Sequence, residues 1–325
     1  MKYFATFIPG TRDIIYKRLN AFSNQSLSVT EISDGLVLFE STLTIPQLSE
    51  LRFFNNVFLL IHDFGIAATP VTELLPRLTA FPLPQAPYGT TFTLKVSQAN
   101  EFVAAPRQKI LDYIAAQTGK TATSHKPDDE FLLLARSDGR SLWGWRLPRA
   151  GFKQRNLEQG EIRPELAHIM GLVAGVTPKS TVLDPFAGYG GIVRECLQGF
   201  HAKEVIAIEQ NQRLIPHLKS IPRLIALHGD AKQLGHISSR NIDRIITDPP
   251  WGEFTQADPN ELRALYRHAL VQMHRVLRAK GAVIMLTAAP FMADVAAETS
   301  FDIVKEYPIL VSGRKATIYK LRRLD

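Results

Sequence analysis

Thr181-Val182-Leu183-Asp184-Pro185-Phe186-Ala187-Gly188-Tyr189-Gly190-Gly191 reads as a short buried strand that runs into a glycine loop and then a helix. Glycines at such a turn let a ligand lie against the backbone, and the helix N–H groups that follow can receive its polar atoms. Roughly 20 residues on, Glu209 ends the next strand pattern, where a carboxylate can accept both hydroxyls of a ribose. The segment therefore fits a nucleoside-bearing cofactor. It departs from the dinucleotide fingerprint Gly-x-Gly-x-x-Gly, because Val193 stands where the third glycine belongs. Asp184 would also sit badly beside a pyrophosphate, whereas it suits a cofactor with a cationic end.

Outward from that loop, residues 181–184, 204–209, 224–227, 242–247 and 282–287 are β-branched runs separated by helical patterns. This alternation predicts βαβ units and a parallel, Rossmann-like sheet. Residues 301–307 and 315–321 flank Ser312-Gly313-Arg314 and predict an antiparallel hairpin at the sheet edge. Pro216 should break or shorten the helix pattern over 211–220. The apolar stripe over 262–277 predicts a helix packed on the sheet.

The N-terminal part has a different rhythm. Strand patterns at 3–8, 35–40 and 56–64 alternate with helix patterns at 11–22 and 45–54, the latter with Pro46 in its first turn. That order predicts a small α+β, ferredoxin-like unit. Phe81-Pro82-Leu83-Pro84-Gln85-Ala86-Pro87 can continue neither a helix nor a central strand and marks a boundary. Beyond it come a strand at 90–96, a helix at 105–117 and a hairpin of 131–136 with 141–147.

Composition narrows the class. The chain has 325 residues, 45% hydrophobic and 21% charged, an ordinary globular balance that excludes wholesale disorder or a fibrous repeat. A net charge of +7 points towards a polyanionic partner, since phosphate contacts supply most non-specific nucleic-acid affinity. Cys196 is the sole cysteine, which excludes an intramolecular disulfide and a multi-cysteine zinc site. The nine histidines show no ligand spacing, and no metal is expected. No apolar run approaches the ~20 residues of a membrane helix, and Pro9, Arg12 and Asp13 come too early for a secretory core. The expectation is a soluble, cytoplasmic protein with no membrane partner.

Two further motifs carry chemistry. Asp230, at the end of the third strand pattern, can accept a hydrogen bond from an adenine amino group. Asp248-Pro249-Pro250-Trp251 follows the fourth strand pattern and decides the reaction class. Two prolines stiffen the backbone, so a carboxylate and a neighbouring carbonyl can both accept from a planar exocyclic NH2. Those bonds draw the nitrogen lone pair out of conjugation and make a poor nucleophile competent. Trp251 can stack a splayed-out base, an interaction worth ~1–3 kcal/mol, and reaching such an amine requires extrusion or an unpaired substrate.

Asp184-Pro185-Phe186-x-Gly188-x-Gly190, Glu209, Asp230 and Asp248-Pro249-Pro250-Trp251 together resemble a class I S-adenosylmethionine-dependent amino-methyltransferase. More narrowly, the chain resembles the RNA guanine-N2 methyltransferases that carry an N-terminal THUMP module. Residues 160–167, the basic lead-in Phe152-Lys153-Gln154-Arg155 and the ending over 312–319 support the narrower match. The resemblance implies S-adenosylmethionine as cofactor and contacts to it from Arg163, Pro164, Asp184, Pro185, Phe186, Gly188, Gly190, Glu209, Gln210, Asp230 and Ala231. It implies amine binding by Asp248, Pro249, Pro250 and Trp251, and RNA, best read as tRNA, as partner. The domains expected are 1–65 (ferredoxin-like), 66–148 (a THUMP-like RNA-binding module) and 149–325 (methyltransferase). Trp251 departs from the commoner Tyr or Phe, which bears on which base fits.

Basic residues Arg140, Arg146, Arg149, Lys153, Arg155 and Arg163 gather near the expected domain junction, interleaved with Trp143, Trp145 and Phe152. Cations with aromatics can track a phosphate backbone and stack a base; Arg146, Arg149, Lys153 and Arg155 are the RNA-binding candidates. A second basic group is Arg314, Lys315, Lys320, Arg322 and Arg323, with solvated edge charges as its alternative role. The expected activity is methyl transfer to an exocyclic base amine, best read as N2 of guanosine in tRNA. The alternatives are adenine N6, a guanine of ribosomal RNA, a glutamine side chain or a non-catalytic RNA-binding protein that keeps the fold. Adenine and glutamine enzymes more often show Asn at the Asp248 position. A nicotinamide oxidoreductase would leave Asp248-Pro249-Pro250-Trp251 without purpose.

Overall fold

Two units make up the chain: residues 1–6 with 19–153, and residues 7–18 with 154–325. The computed structural model describes residues 1–22, 26–84, 89–97, 104–148, 157–158, 160–252, 258–311 and 313–324.

The first unit opens with β1 (Lys2–Thr6); after α1 (Arg12–Asn20), whose residues 12–18 belong to the second unit, it takes in β2 (Leu27–Ser33), β3 (Leu36–Ser41), α2 (Ile45–Ser49) and β4 (Asn56–Ile66). It continues through α3 (Val71–Leu74), a 3-10 segment at Leu75–Ala80, β5 (Thr91–Val96), α4 (Ala104–Thr118), β6 (Thr121–Ala122), β7 (Asp129–Ala135) and β8 (Arg140–Arg146). All eight strands form one sheet in the order β2-β3-β1-β4-β8-β7-β5-β6. The first four are antiparallel in the ferredoxin-like arrangement. Two of the eight strands were not expected from the sequence, β2 (LSVTEIS) and the two-residue β6, since both lie at the sheet edges, β2 burying only Leu27 fully and β6 neither residue. α2 also ends at Ser49 rather than continuing to residue 54: Ser49 turns its hydroxyl onto the Ile45 carbonyl at 2.8 Å, and Glu50 caps the helix. β4 pairs with β8, so the sheet runs unbroken across residue 65. Its core holds Phe92, Phe131, Trp143 and Trp145, all buried.

The second unit follows the alternation expected: α5 (Pro164–Ala174), β9 (Thr181–Asp184), α6 (Gly191–Gln198), β10 (Glu204–Glu209), α7 (Ile215–Lys219), β11 (Leu224–His228), β12 (Ile242–Thr247), α8 (Pro259–Val276), β13 (Leu277–Thr287), α9 (Met292–Glu298), β14 (Phe301–Val311) and β15 (Arg314–Arg323). Pro216 sits in the first turn of the five-residue α7, as a proline-shortened helix requires. The seven strands are ordered β11-β10-β9-β12-β13-β15-β14, with β15 alone running antiparallel. Chain order therefore reverses between β9 and β12, and an α/β sheet opens its ligand crevice at the strand C-termini of such a switch point. β12, β13 and α8 bury Ile245, Val283, Met285, Leu270 and Met273 in one core, which anchors the strand ends.

Candidate active site

Four acidic residues stand at or just past the C-terminal ends of four adjacent parallel strands: Asp230 after β11, Glu209 on β10, Asp184 on β9 and Asp248 after β12. Asp184 is buried, and its Oδ1 accepts from the Phe186 N–H at 3.1 Å and the Thr247 hydroxyl at 2.8 Å. Burial pushes its carboxyl up to about 7 against the pull of those two bonds, and the charges of Asp248 and Glu209 push the same way. Glu209 accepts from the Gly188 N–H at 2.8 Å and the Asn211 N–H at 2.7 Å, tying β10 to the glycine loop. Asp230 is partly exposed, accepts from the Lys232 N–H at 2.9 Å and faces the Lys232 ammonium at 3.3 Å. Ala231 beside it is buried and Gln210 is exposed.

The loop has the backbone that glycines allow. Gly188 and Gly190 have φ of +52° and +84°. A Cβ on Gly188 would meet open space, whereas one on Gly190 would strike Ile221 and Leu218 at 2.9 Å. Pro185 is buried under the loop, and Phe186 packs on the strand core. The segment before α5 lies beside the loop's exit: a Cβ on Gly191 would come within 3.0 Å of the Ile162 carbonyl. Arg163 and Pro164 follow at the start of α5, where the half-exposed Arg163 reaches Glu165 at 3.0 Å.

Asp248 is partly buried, and the Trp251 indole N–H donates to its Oδ1 at 2.9 Å. Burial raises this carboxyl to about 7 as well, with the indole bond pulling down. Pro249 is buried and Pro250 exposed. Behind them the fully buried Tyr266 of α8 donates its hydroxyl to the Pro250 carbonyl at 3.0 Å and lies 2.7 Å from Thr287 Oγ1 on β13. The Thr287 oxygen also accepts from the Ala289 N–H at 3.0 Å. Thr247, Tyr266 and Thr287 went unnoticed in the sequence. Tyr266 offered one signal, a phenol in an apolar stripe that must find a partner for its hydroxyl.

Among the described residues no Lys or Arg pairs with Asp184, Glu209 or Asp248. Three uncompensated carboxylates at one strand edge, beside an open glycine cradle, suit a ligand with a cationic centre and a ribose. S-adenosylmethionine, with its sulfonium and ammonium groups, matches that donor set. No cluster of His, Cys, Asp and Glu fit for a metal occurs among the described residues.

The basic groups need correction. Trp143 and Trp145 are core residues, 0% and 2% exposed, so neither can stack a base. The Trp145 indole donates to buried Asp129, which pairs with Lys120. Arg140 is buried between Glu31 and Asp63. Arg146 lies 3.2 Å from Glu130, a carboxylate it shares with Lys95. Arg149, Lys153 and Arg155 lie outside the described residues. At the C-terminus, Lys320 donates to the Val173 carbonyl, and buried Arg323 donates to the carbonyls of His274 and Leu277. These two hold the fold together.

A seven-stranded sheet of this order, with one antiparallel strand and its acidic residues at the switch-point edge, is the class I methyltransferase fold. Residues 217–316 match the model of the family UPF0020, the RMKL-like methyltransferase domain. The tRNA (guanine(10)-N2)-dimethyltransferase of Methanothermobacter thermautotrophicus is 30% identical over 142 residues, 42% of this chain. The chain spans 40% of the length of that curated relative. TrmN from Thermus thermophilus shares the fold over 99% of both chains, with a TM-score of 0.78 and 20% identity. SMU.472, solved as a complex with SAH, shares it over 100% of this chain and 98% of its own, with a TM-score of 0.69 and 14% identity. No described helix is long and apolar enough to cross a membrane.

Proposed function

We propose that the chain is an S-adenosylmethionine-dependent RNA methyltransferase that modifies an exocyclic base amine, with N2 of guanosine in tRNA as its substrate. The carrying observation is the stiff Asp248-Pro249-Pro250-Trp251 corner, one strand over from the Asp184 glycine loop and close enough for the Asp248 charge to act on the Asp184 carboxyl. The Methanothermobacter relative, a tRNA (guanine(10)-N2)-dimethyltransferase, supports guanosine in tRNA as the substrate.

In this reading Asp184, Gly188, Gly190, Glu209, Gln210, Asp230 and Ala231 hold the cofactor, with Arg163, Pro164, Pro185 and Phe186 around them. When bound, S-adenosylmethionine supplies an electrophilic methyl on a positively charged sulfur. Asp248 and the Pro249 carbonyl accept the two amine hydrogens and aim the nitrogen lone pair, while Trp251 lies against the base. A carboxyl that titrates near 7 can take the proton the methylated nitrogen sheds. Much of the rate comes from aligning and desolvating the reactants. Residues 66–148 serve as the THUMP-like RNA-binding module, with Arg146, Arg149, Lys153 and Arg155 on the RNA path.

The test is Asp248→Ala in a radiolabelled methyl-transfer assay on fractionated cellular RNA, followed by nucleoside mass spectrometry. Transfer should vanish while cofactor affinity stays within a few-fold. Retained turnover refutes the role given to Asp248, and a labelled nucleoside other than N2-methylated guanosine refutes the substrate.

A further inference from the structure

We propose that Trp251 is a specificity-determining residue that limits this site to one methyl per amine, an inference that rests on the amine-methylating reading above. Among the corner's acceptors are the two oxygens of Asp248 and the carbonyls of Pro249 and Pro250. Two are already engaged. The Trp251 indole N–H holds Asp248 Oδ1 at 2.9 Å, and the Tyr266 hydroxyl holds the Pro250 carbonyl at 3.0 Å. Tyr266 is itself fixed by Thr287 at 2.7 Å, and Thr287 by the Ala289 N–H at 3.0 Å. Among the described residues nothing donates to Asp248 Oδ2 or to the Pro249 carbonyl, and these two acceptors match the two hydrogens of an unsubstituted amine.

Transfer forms a nitrogen–carbon bond from the amine lone pair as the sulfur–carbon bond of the sulfonium donor breaks. That bond's electrons stay on sulfur as a neutral thioether, and one amine proton leaves to Asp248 or water. The product therefore carries one hydrogen and one methyl. For a second transfer the methyl must face one of the two acceptors. A carbon needs ~3.5 Å from an oxygen, more than the ~2.9 Å of the hydrogen bond it replaces, and it leaves a desolvated acceptor unpaired. A carboxylate free to turn could open that space. The indole bond prevents the turn, and a phenylalanine or tyrosine ring in its place would bring no N–H on that edge.

The experiment uses the full chain, in excess, with S-adenosylmethionine and bulk tRNA from cells lacking the protein; N2-methyl- and N2,N2-dimethylguanosine are followed by mass spectrometry. The first should reach a plateau, and once-methylated tRNA, repurified and resubmitted, should react at least about tenfold more slowly. Trp251→Phe keeps the ring, drops the N–H, and should raise the dimethylated share. An independent readout needs neither cofactor nor RNA: the indole 15N–1H signal that Trp251→Phe removes should shift in Asp248→Asn. Dimethylation by the wild-type chain within threefold of the first rate overturns the inference. So does an unchanged product ratio in Trp251→Phe, or complete loss of transfer in a folded Trp251→Phe, which would make the indole bond a requirement of the first step. Should Trp251→Phe not fold, the wild-type rate ratio and the indole signal in Asp248→Asn decide. If no N2-methylated guanosine of either kind appears, the underlying reading has failed instead.

Discussion

Gly188 and Gly190 look alike in the sequence, yet they do different work. Both occupy the left-handed region, so an alanine at either costs ~1–2 kcal/mol in backbone strain. At Gly190 the new methyl would also collide with Ile221 and Leu218 at 2.9 Å, and overpacking adds ~1–3 kcal/mol. At Gly188 it would enter open space. Gly190→Ala should therefore lower stability by about 2–5 kcal/mol in chemical denaturation. Gly188→Ala should stay folded with the smaller loss, while its S-adenosylmethionine affinity in calorimetry falls at least about tenfold, since a cradle filled by a methyl no longer admits the ligand. Equal melting points for the two variants, or an unchanged affinity in Gly188→Ala, would defeat this division. The placement of Asp184, Glu209 and Asp248 at the strand ends was legible because the strand patterns that precede them have clear bounds. The Trp251–Asp248 bond was not, because an indole can stack or donate, and only the fold decides which edge meets a partner.

Elements were legible where periodicity and punctuation agreed. Thr181–Asp184, Glu204–Glu209 and Ile242–Thr247 have the bounds expected of them, since continuous apolar runs bounded by turns mark buried parallel strands. β2 escaped because an edge strand with one fully buried residue leaves almost no hydrophobic trace, and α2, expected at 45–54, ends early because a serine and a glutamate stop it without any apolar signal. Contacts between distant elements leave none, and the tie between α8 and the loop after β12 is the chief example. Tyr266 lies 16 residues from Pro250 and 21 from Thr287, beyond the reach of any local pattern. Tyr266→Phe keeps the ring packed and removes only the hydroxyl, so it should cost about 1 kcal/mol of stability. Transfer should fall several-fold as the Pro250 carbonyl loses its anchor and the corner relaxes, with cofactor affinity unchanged. A variant with wild-type turnover would show that the two prolines hold the corner unaided.

At the scale of the whole molecule, the carboxylates that make the site reactive also load the cofactor-free fold. Asp184 titrates near 7 when folded and near 3.8 when unfolded, because burial disfavours its charge. Between those values the native state binds more protons than the unfolded state, so stability falls as pH rises through the window and levels off above it. One such carboxyl supplies a slope of about 1.4 kcal/mol per pH unit within the window. Asp138 tilts the other way, held below its ordinary value where its bonds to Arg136 and Arg140 outweigh desolvation. The comparison must therefore be a difference between proteins. Asp184→Asn keeps the acceptor for Thr247 and Phe186 but has no charge to bury, so its margin over the wild type should open above about pH 4, grow steadily from pH 5 and level off above about pH 7.5. S-adenosylmethionine brings the missing positive charge, so it should stabilise the wild type more at pH 8 than at pH 5.5, with protons released on binding in the upper half of the window. Urea denaturation of both proteins from pH 5 to 8.5, with and without the cofactor, measures each of these differences. Parallel stability profiles would mean that Asp184 is already neutral, or already compensated, throughout that range, and the electrostatic case for a cationic ligand at this strand edge would be lost.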